Sequence, residues 1–212
     1  MTATDGARIG EGDAPGALQL IDLLGQLDNP DVIEVGTLRS DPDFPTHHTA
    51  WAPHGNWTRV DAYPGQDVDV VDDAHTMESF RVVVGRAFGG AAITEAFPET
   101  FDAYVACSVY EHLRRPWKAM ATAAGLVKPG GLVYVQTHQT FPLHGYPSDY
   151  FRFSKEALAG IMEDAGLIVL HAGYLYRCKV IPPPEVTRWN TADDVEAWLN
   201  VEALARKPWE GE

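Results

Sequence analysis

Titratable and hydroxyl side chains gather twice within Phe101 to Thr140, FDAYVACSVYEHLRRPWKAMATAAGLVKPGGLVYVQTHQT. Cys107-Ser108 and Glu111-His112 close and follow the apolar run DAYVACSV, and Thr137-His138-Gln139-Thr140 closes the run LVYVQT, with His144 shortly beyond. An imidazole titrating near pH ~6.5 can take a proton from a hydroxyl or an amine. A structural hydrogen bond is the other use open to His138 and to His144. Glu111-His112 suits either an acid–base pair or the cap of the next helix. Nothing basic precedes Cys107 to lower its thiol pKa, so it reads as a core residue.

Other acids stand in or after strand-like runs. Asp61 ends TRVD, where a carboxylate can accept both hydroxyls of a ribose; the alternative is a solvated turn acid before Pro64-Gly65. Asp73, beside Asp72, follows Val68 to Val71 and can accept from an adenine amino group. Glu34 lies between Ile33 and Val35, and a carboxylate among apolar neighbours needs a partner, a ligand ammonium being one candidate. Gly36 permits close backbone approach. The next residues, Thr37-Leu38-Arg39-Ser40, are not glycine-rich, so the G-x-G-x-x-G cradle of a pyrophosphate dinucleotide is absent. His47, His48 and His54 fall in an irregular stretch with no cysteine and no regular spacing. It reads as a plain loop, and no metal is expected.

The frame for these residues alternates strands and helices. Ala17, Leu20, Ile21, Leu24 and Leu27 share one helical face within 14–27, with Asp13 placed to cap and Pro15 in the first turn. Strands are expected at 31–36, 57–62 and 68–71. A helix is expected near 76–86 and a further helical turn near 91–96. The central strand precedes a helix from Pro116 to Val127, which Lys-Pro-Gly-Gly stops before a second strand. Gln139 to Phe153 is a long connection whose aromatics Tyr146, Tyr150 and Phe151 and whose pair Asp149 and Arg152 argue for order. Ser154 caps a helix carrying Leu158, Ile161 and Met162. Strands at 167–170 and 174–180 follow, then Pro182-Pro183-Pro184. Thr191-x-x-Asp194 opens a last helix carrying Val195, Trp198, Leu199 and Glu202. Strand–helix–strand repetition means parallel pairing in a doubly wound α/β sheet, which binds ligands beyond the carboxyl ends of its strands.

Bulk properties narrow the function classes. The 212 residues suit a single domain, 1–212, with 1–12 a flexible leader and 182–212 a C-terminal extension containing a helix. A net charge of −14 disfavours nucleic acid and anionic membranes as partners. Two cysteines make no disulfide framework, which fits a reducing cytoplasm.

The segments EVG (34–36), VDAYPGQDVDVVDDAH (60–75), FDAYVACSVYEHLRRPWKA (101–119), LVKPGGLVYV (126–135) and HGYPSDYFRFS (144–154) together resemble the class I S-adenosylmethionine-dependent methyltransferases. The resemblance implies a Rossmann-like, mostly parallel sheet of about seven strands with helices on both faces. Its reversed final strand would be abbreviated or come from Arg177 to Ile181. It implies S-adenosylmethionine as cofactor, held by Glu34, Gly36, Asp61 and Asp73. Ala62, Tyr63 and Ala74 would neighbour the adenine, and Ser108 would lie under the methionine portion. Arg39 is either a partner for the methionine carboxylate or a surface arginine. The implied reaction is in-line methyl transfer to a small-molecule or sugar acceptor. His138 and His144 are then the candidate bases, and Tyr146, Asp149, Tyr150 and Arg152 the candidate acceptor-binding residues. A non-catalytic binding protein of the same fold is the alternative that the glycine-poor loop motivates. A nicotinamide-dependent oxidoreductase would share the ribose-binding acid without the glycine fingerprint.

Overall fold

Period-two apolar patterning builds the centre of the molecule. Val32, Ala103, Val105, Leu132 and Tyr134 point to one side of a sheet, and Ile33, Val35, Tyr104, Ala106, Val133 and Val135 to the other. These positions belong to β1 (Asp31–Val35), β6 (Phe101–Cys107) and β7 (Val127–His138). The computed structural model describes residues 14–39, 48–85, 94–145, 147–181, 185 and 197–212. The expected leader, the Asp13 cap, His47, Tyr146, the Pro182–Pro184 stop and the turn opening at Thr191 lie outside the described residues.

Among the described residues the main sheet has seven strands. With β2 (Asn56–Asp61), β3 (Val70–Val71), β8 (Ile168–Cys178) and β9 (Ala197–Arg206), its order is β3-β2-β1-β6-β7-β9-β8. The first five are parallel to their neighbours, while β9 runs antiparallel to both β7 and β8. Helix α1 (Pro15–Leu24) buries Ala17, Leu20 and Leu24 against one face. Helices α2 (Pro116–Leu126) and α3 (Lys155–Asp164) bury Met120, Ala123, Leu158 and Met162 against the other. The expected doubly wound, Rossmann-like sheet with helices on both faces is the observed one. Ser154 caps α3 by accepting from the Ala157 N–H at 3.1 Å. Among the described residues no helix is long and apolar enough to cross a membrane.

Four expectations are corrected. The helix near 76–86 is instead a short 3-10 turn (Glu78–Phe80) followed by strand β4 (Val82–Gly85). The helical turn near 91–96 is strand β5 (Thr94–Ala96), antiparallel to β4. Three consecutive β-branched valines favour an extended chain over a helix. The third correction matters most. Trp198, Leu199 and Glu202 lie not on a C-terminal helix but on β9, the reversed strand, which is ten residues long and does not come from Arg177 to Ile181. A spacing of three and four also fits an inserted strand buried by neighbours on both edges, and Val201, Ala203 and Ala205 keep the period of two. The two strands expected at 167–170 and 174–180 are one, β8, with an irregularity between Val169 and His171.

The insertion of β9 carries a charge into the core. Glu202, fully buried, accepts from the Gly16 N–H at 2.8 Å, the Ala17 N–H at 3.2 Å and the Tyr134 hydroxyl at 2.8 Å. It satisfies the free N–H groups of the first turn of α1 and complements the positive end of the helix dipole.

Candidate active site

Strand order reverses between β1 and β6: from β1 the sheet extends to β2 and β3, from β6 to β7 and β9. Open α/β sheets take ligands at that point. A cavity of about 680 Å³ lies there, lined by Val35 and Gly36 after β1 and by Cys107 and Ser108 at the end of β6. The volume falls within the roughly 300–1,000 Å³ usual for small-molecule sites.

Gly36 has φ +86°, and a Cβ there would collide with Val109 Cγ2. Only glycine joins the left-handed conformation to that close approach. Ser108 adopts φ +54°, an uncommon conformation for a residue with a side chain, and donates its N–H to the Gln136 carbonyl at 2.9 Å. Asp61 ends β2 on the cavity wall, where Oδ2 accepts from the Leu38 N–H and Oδ1 from the Tyr63 N–H, both at 3.0 Å. Each oxygen keeps a second lone pair. Ala62 and Tyr63 continue the wall, and Asp72, Asp73 and Ala74 extend it from the end of β3. Asp73 Oδ1 accepts from the His75 N–H at 2.8 Å and from its Nδ1 at 2.6 Å. The Arg115 N–H donates to His75 Nε2 at 3.3 Å, which leaves the ring proton on Nδ1. Burial alone would raise the Asp73 carboxyl's pKa, but these bonds outweigh it and hold it low. Asp72 accepts the Asp73 N–H through Oδ1 and the Ser79 N–H through Oδ2, which caps the turn after β3.

Glu34 does not reach the cavity. It is 1% exposed, and its two oxygens accept from the His48 N–H at 2.9 and 3.0 Å and pair with His48 Nδ1. His48 lines the cavity in its stead. Its expected partner, a ligand's ammonium, is therefore replaced by a loop residue that irregular sequence gave no reason to select. Burial opposes charge on His48, but Cys107 and Glu34 outweigh it and raise its pKa to about 10. A raised imidazole pKa contributes stability that is fully present below the ordinary value near ~6.5 and is lost as pH passes through the folded value. The urea midpoint of the wild type is expected to fall between pH 7 and pH ~10.5, and His48→Gln to flatten that fall. Parallel midpoint–pH curves for the two proteins would contradict the pairing. Arg39 pairs with Asp67 at 3.1 Å and is not among the lining residues.

The second group of candidates surrounds Glu111, which lies in a 3-10 turn (Tyr110–His112) after β6 and is fully buried. Its Oε2 accepts from the Thr137 hydroxyl at 2.6 Å. Its Oε1 faces Nε2 of His138 at 3.0 Å, of His112 at 3.7 Å and of His144 at 3.9 Å. The His138 ring is stacked on Phe141 and its Nδ1 lies 2.8 Å from Asn200 Oδ1, across the β7–β9 register. Burial disfavours charge on both partners, yet their contact raises the pKa of His138 and, with Thr137, lowers that of Glu111. His144, His112 and Asn200 line the cavity, and His138 and Glu111 stand behind them. Asn200 escapes a sequence reading that makes its strand a helix; the alternation Val201, Ala203, Ala205 is the signal that would have placed it.

Asp149 and Arg152, expected to bind the acceptor, pair with each other within the loop. Arg152 grips both oxygens of Asp149 and donates to the carbonyls of Phe141, Pro142 and Phe151. The Arg152 guanidinium holds the Asp149 carboxyl well below the usual carboxylate range, and Asp149 accepts the His144 N–H at 3.0 Å. The pair therefore positions His144. Tyr150 is half exposed and outside the cavity wall, though its N–H ties the loop to the Glu111 carbonyl at 2.8 Å.

Among the described lining residues are three aspartates and no lysine or arginine. Such a wall repels phosphates and suits a ligand that offers hydroxyls, an amine and positive charge. Fold and site together define a Rossmann-like α/β domain with an acidic cavity at its topological switch point.

Comparison with known proteins agrees. The family described as "Methyltransferase domain" matches residues 48–135. A ubiquinone biosynthesis O-methyltransferase from Dechloromonas aromatica is 29% identical over 122 residues, 58% of this chain and 48% of that protein. The chain thus spans no more than about half the length of the curated relatives it matches. An S-adenosylmethionine-dependent methyltransferase structure from Archaeoglobus fulgidus aligns over 90% of this chain and 92% of its own, with TM-score 0.58 and 13% identity. The 1,6-didemethyltoxoflavin N1-methyltransferase of Burkholderia thailandensis, solved with bound 1,6-didemethyltoxoflavin and S-adenosylhomocysteine, aligns over 96% and 83%, with TM-score 0.56 and 16% identity. Residues 48–135 thus match a methyltransferase domain, and the fold is that of S-adenosylmethionine-dependent methyltransferases of known structure.

Proposed function

We propose that this protein binds S-adenosylmethionine in the acidic cavity and transfers its methyl group to a hydroxyl of a small molecule. The observation that carries this reading is the cavity wall itself: aspartates after β2 and β3, a left-handed glycine after β1 and, among the described lining residues, no lysine or arginine for a phosphate. Bound there, the cofactor supplies a methyl carbon already activated by its sulfonium sulfur. Asp61 accepts the ribose hydroxyls through its spare lone pairs, and Asp73 accepts the adenine amine beside Ala62, Tyr63 and Ala74. Gly36 and Ser108 present backbone to the methionine portion, and Glu34 acts at one remove by positioning His48.

The acceptor enters from the His144 side. Of the two histidines singled out from the sequence, His144 touches the cavity and His138 has both ring nitrogens engaged behind it. His144 is thus the member of the Glu111–His138–His144 cluster placed to receive the hydroxyl proton, and His138 is a positioning residue. In-line geometry contributes most of the rate in such a transfer. An oxygen nucleophile also matches the name of the curated relatives, ubiquinone biosynthesis O-methyltransferase.

Incubation with methyl-tritiated S-adenosylmethionine and a panel of phenolic, sugar and amine acceptors tests the reading. Label recovered in hydroxyl acceptors is the expected result. Transfer to amines alone would overturn the oxygen assignment. Tight cofactor binding with no transfer to any acceptor class would favour a non-catalytic binding protein.

A further inference from the structure

Behind the cavity, three imidazole rings converge on one buried carboxylate. Glu111 Oε1 is buried and, at 3.0 Å from His138 Nε2, has ion-pair distance without the alignment of a hydrogen bond. His144 Nδ1 lies 3.1 Å from the Pro142 carbonyl, and His138 Nδ1 2.8 Å from Asn200 Oδ1. A ring nitrogen facing a carbonyl oxygen carries its hydrogen, so Nε2 is the atom that each ring turns towards the carboxylate. His112 follows the same pattern, with Nδ1 2.8 Å from the Ser148 carbonyl and Nε2 on the Glu111 side. A buried carboxylate oxygen without a hydrogen-bond partner, faced by several ring nitrogens, is a place that a cation fits.

From this geometry we propose that Glu111, His138 and His144 form a binding site for a divalent transition-metal ion of the zinc class. Their ligand atoms lie within 4.8 Å of one another. Metal bonds of about 2.1 Å bring neighbouring ligand atoms to roughly 3.0–3.4 Å. The Glu111–His138 separation of 3.0 Å already meets that, and a small rotation of His144 closes its 3.9 Å. Each histidine has the outer oxygen partner at Nδ1 that fixes the tautomer of metal-binding imidazoles. Two imidazoles and one carboxylate suit zinc, iron, cobalt or nickel better than magnesium or calcium. With His144 and Asn200 on the cavity wall, the ion keeps an open side towards the acceptor.

The role of the ion rests on the methyltransferase reading; its binding does not. An acceptor hydroxyl polarised by the ion releases its proton to solvent. The new O–CH₃ bond forms as the C–S bond breaks, and sulfur keeps the electron pair as a neutral thioether. His144 then serves as a ligand, not a base.

The test uses untagged full-length protein, dialysed against a chelator and titrated with Co²⁺ by visible absorption and with Zn²⁺ by calorimetry. Stoichiometric binding with d–d bands of a nitrogen-ligated site is expected. Affinity should weaken by about a hundredfold or more in His144→Ala and stay unchanged in His54→Ala, an exposed histidine elsewhere. No stoichiometric binding by the wild type, or the same affinity and spectrum in His144→Ala, would overturn the proposal. S-adenosylhomocysteine binding measured on the stripped protein separates the two readings: its retention leaves the cofactor site intact whatever the metal result.

Discussion

Exchanging Asp61 for alanine is expected to weaken S-adenosylhomocysteine binding by about a hundredfold to ten-thousandfold. A carboxylate accepting two ribose hydroxyls makes two charge-assisted bonds, each worth roughly 1.5–3 kcal/mol. At about 1.4 kcal/mol per decade the pair spans that range. Asp61 also holds the Leu38 and Tyr63 N–H groups, so its loss loosens the loop after β1 together with the turn after β2. Asp61→Asn keeps a neutral oxygen in place and should fall between the wild type and the alanine variant. Calorimetry on all three checks the order, and an alanine variant within threefold of the wild type would remove Asp61 from the site.

The largest stability effect is expected at Glu202. Alanine there strands the Gly16 and Ala17 N–H groups and the Tyr134 hydroxyl, all paired now with a fully buried carboxylate. Removing one partner of such a buried charged network costs about 3–5 kcal/mol. That is a large part of the roughly 5–15 kcal/mol by which domains are stable. Urea unfolding should show the midpoint falling sharply in Glu202→Ala and less in Glu202→Gln, which retains an acceptor oxygen. An unchanged midpoint in the alanine variant would mean that α1 does not depend on β9.

Asp61, Asp73, Gly36 and Ser108 were legible as candidates in the chain because each follows an apolar run, and the carboxyl ends of parallel strands converge on one edge of the sheet. The cavity collects all four. Glu34 was legible as a buried acid in need of a partner, but not its partner: His48 stands in an irregular stretch of sequence that leaves no period to read. Asp149 and Arg152 were visible as a pair, and their spacing did not tell an internal clamp from a ligand-binding one. The donors of Arg152 go to Asp149 and three carbonyls of the loop.

The last strand was the costliest misreading. Trp198, Leu199 and Glu202 sit at helical spacing, but between β7 and β8 both edges of β9 are paired, so buried residues no longer follow a single amphipathic face. With β9 taken as a helix, Asn200 had no reason to face His138, and Glu202 none to meet α1. The arrangement around Glu111 was therefore readable only in fragments: Glu111-His112 in one segment, His138 in another and His144 on the loop.

Calorimetric titration of the full-length protein with S-adenosylhomocysteine tests the central claim most directly. One site per chain with micromolar affinity is the predicted result. A folded protein that gives no binding heat at millimolar ligand would contradict the methyltransferase reading.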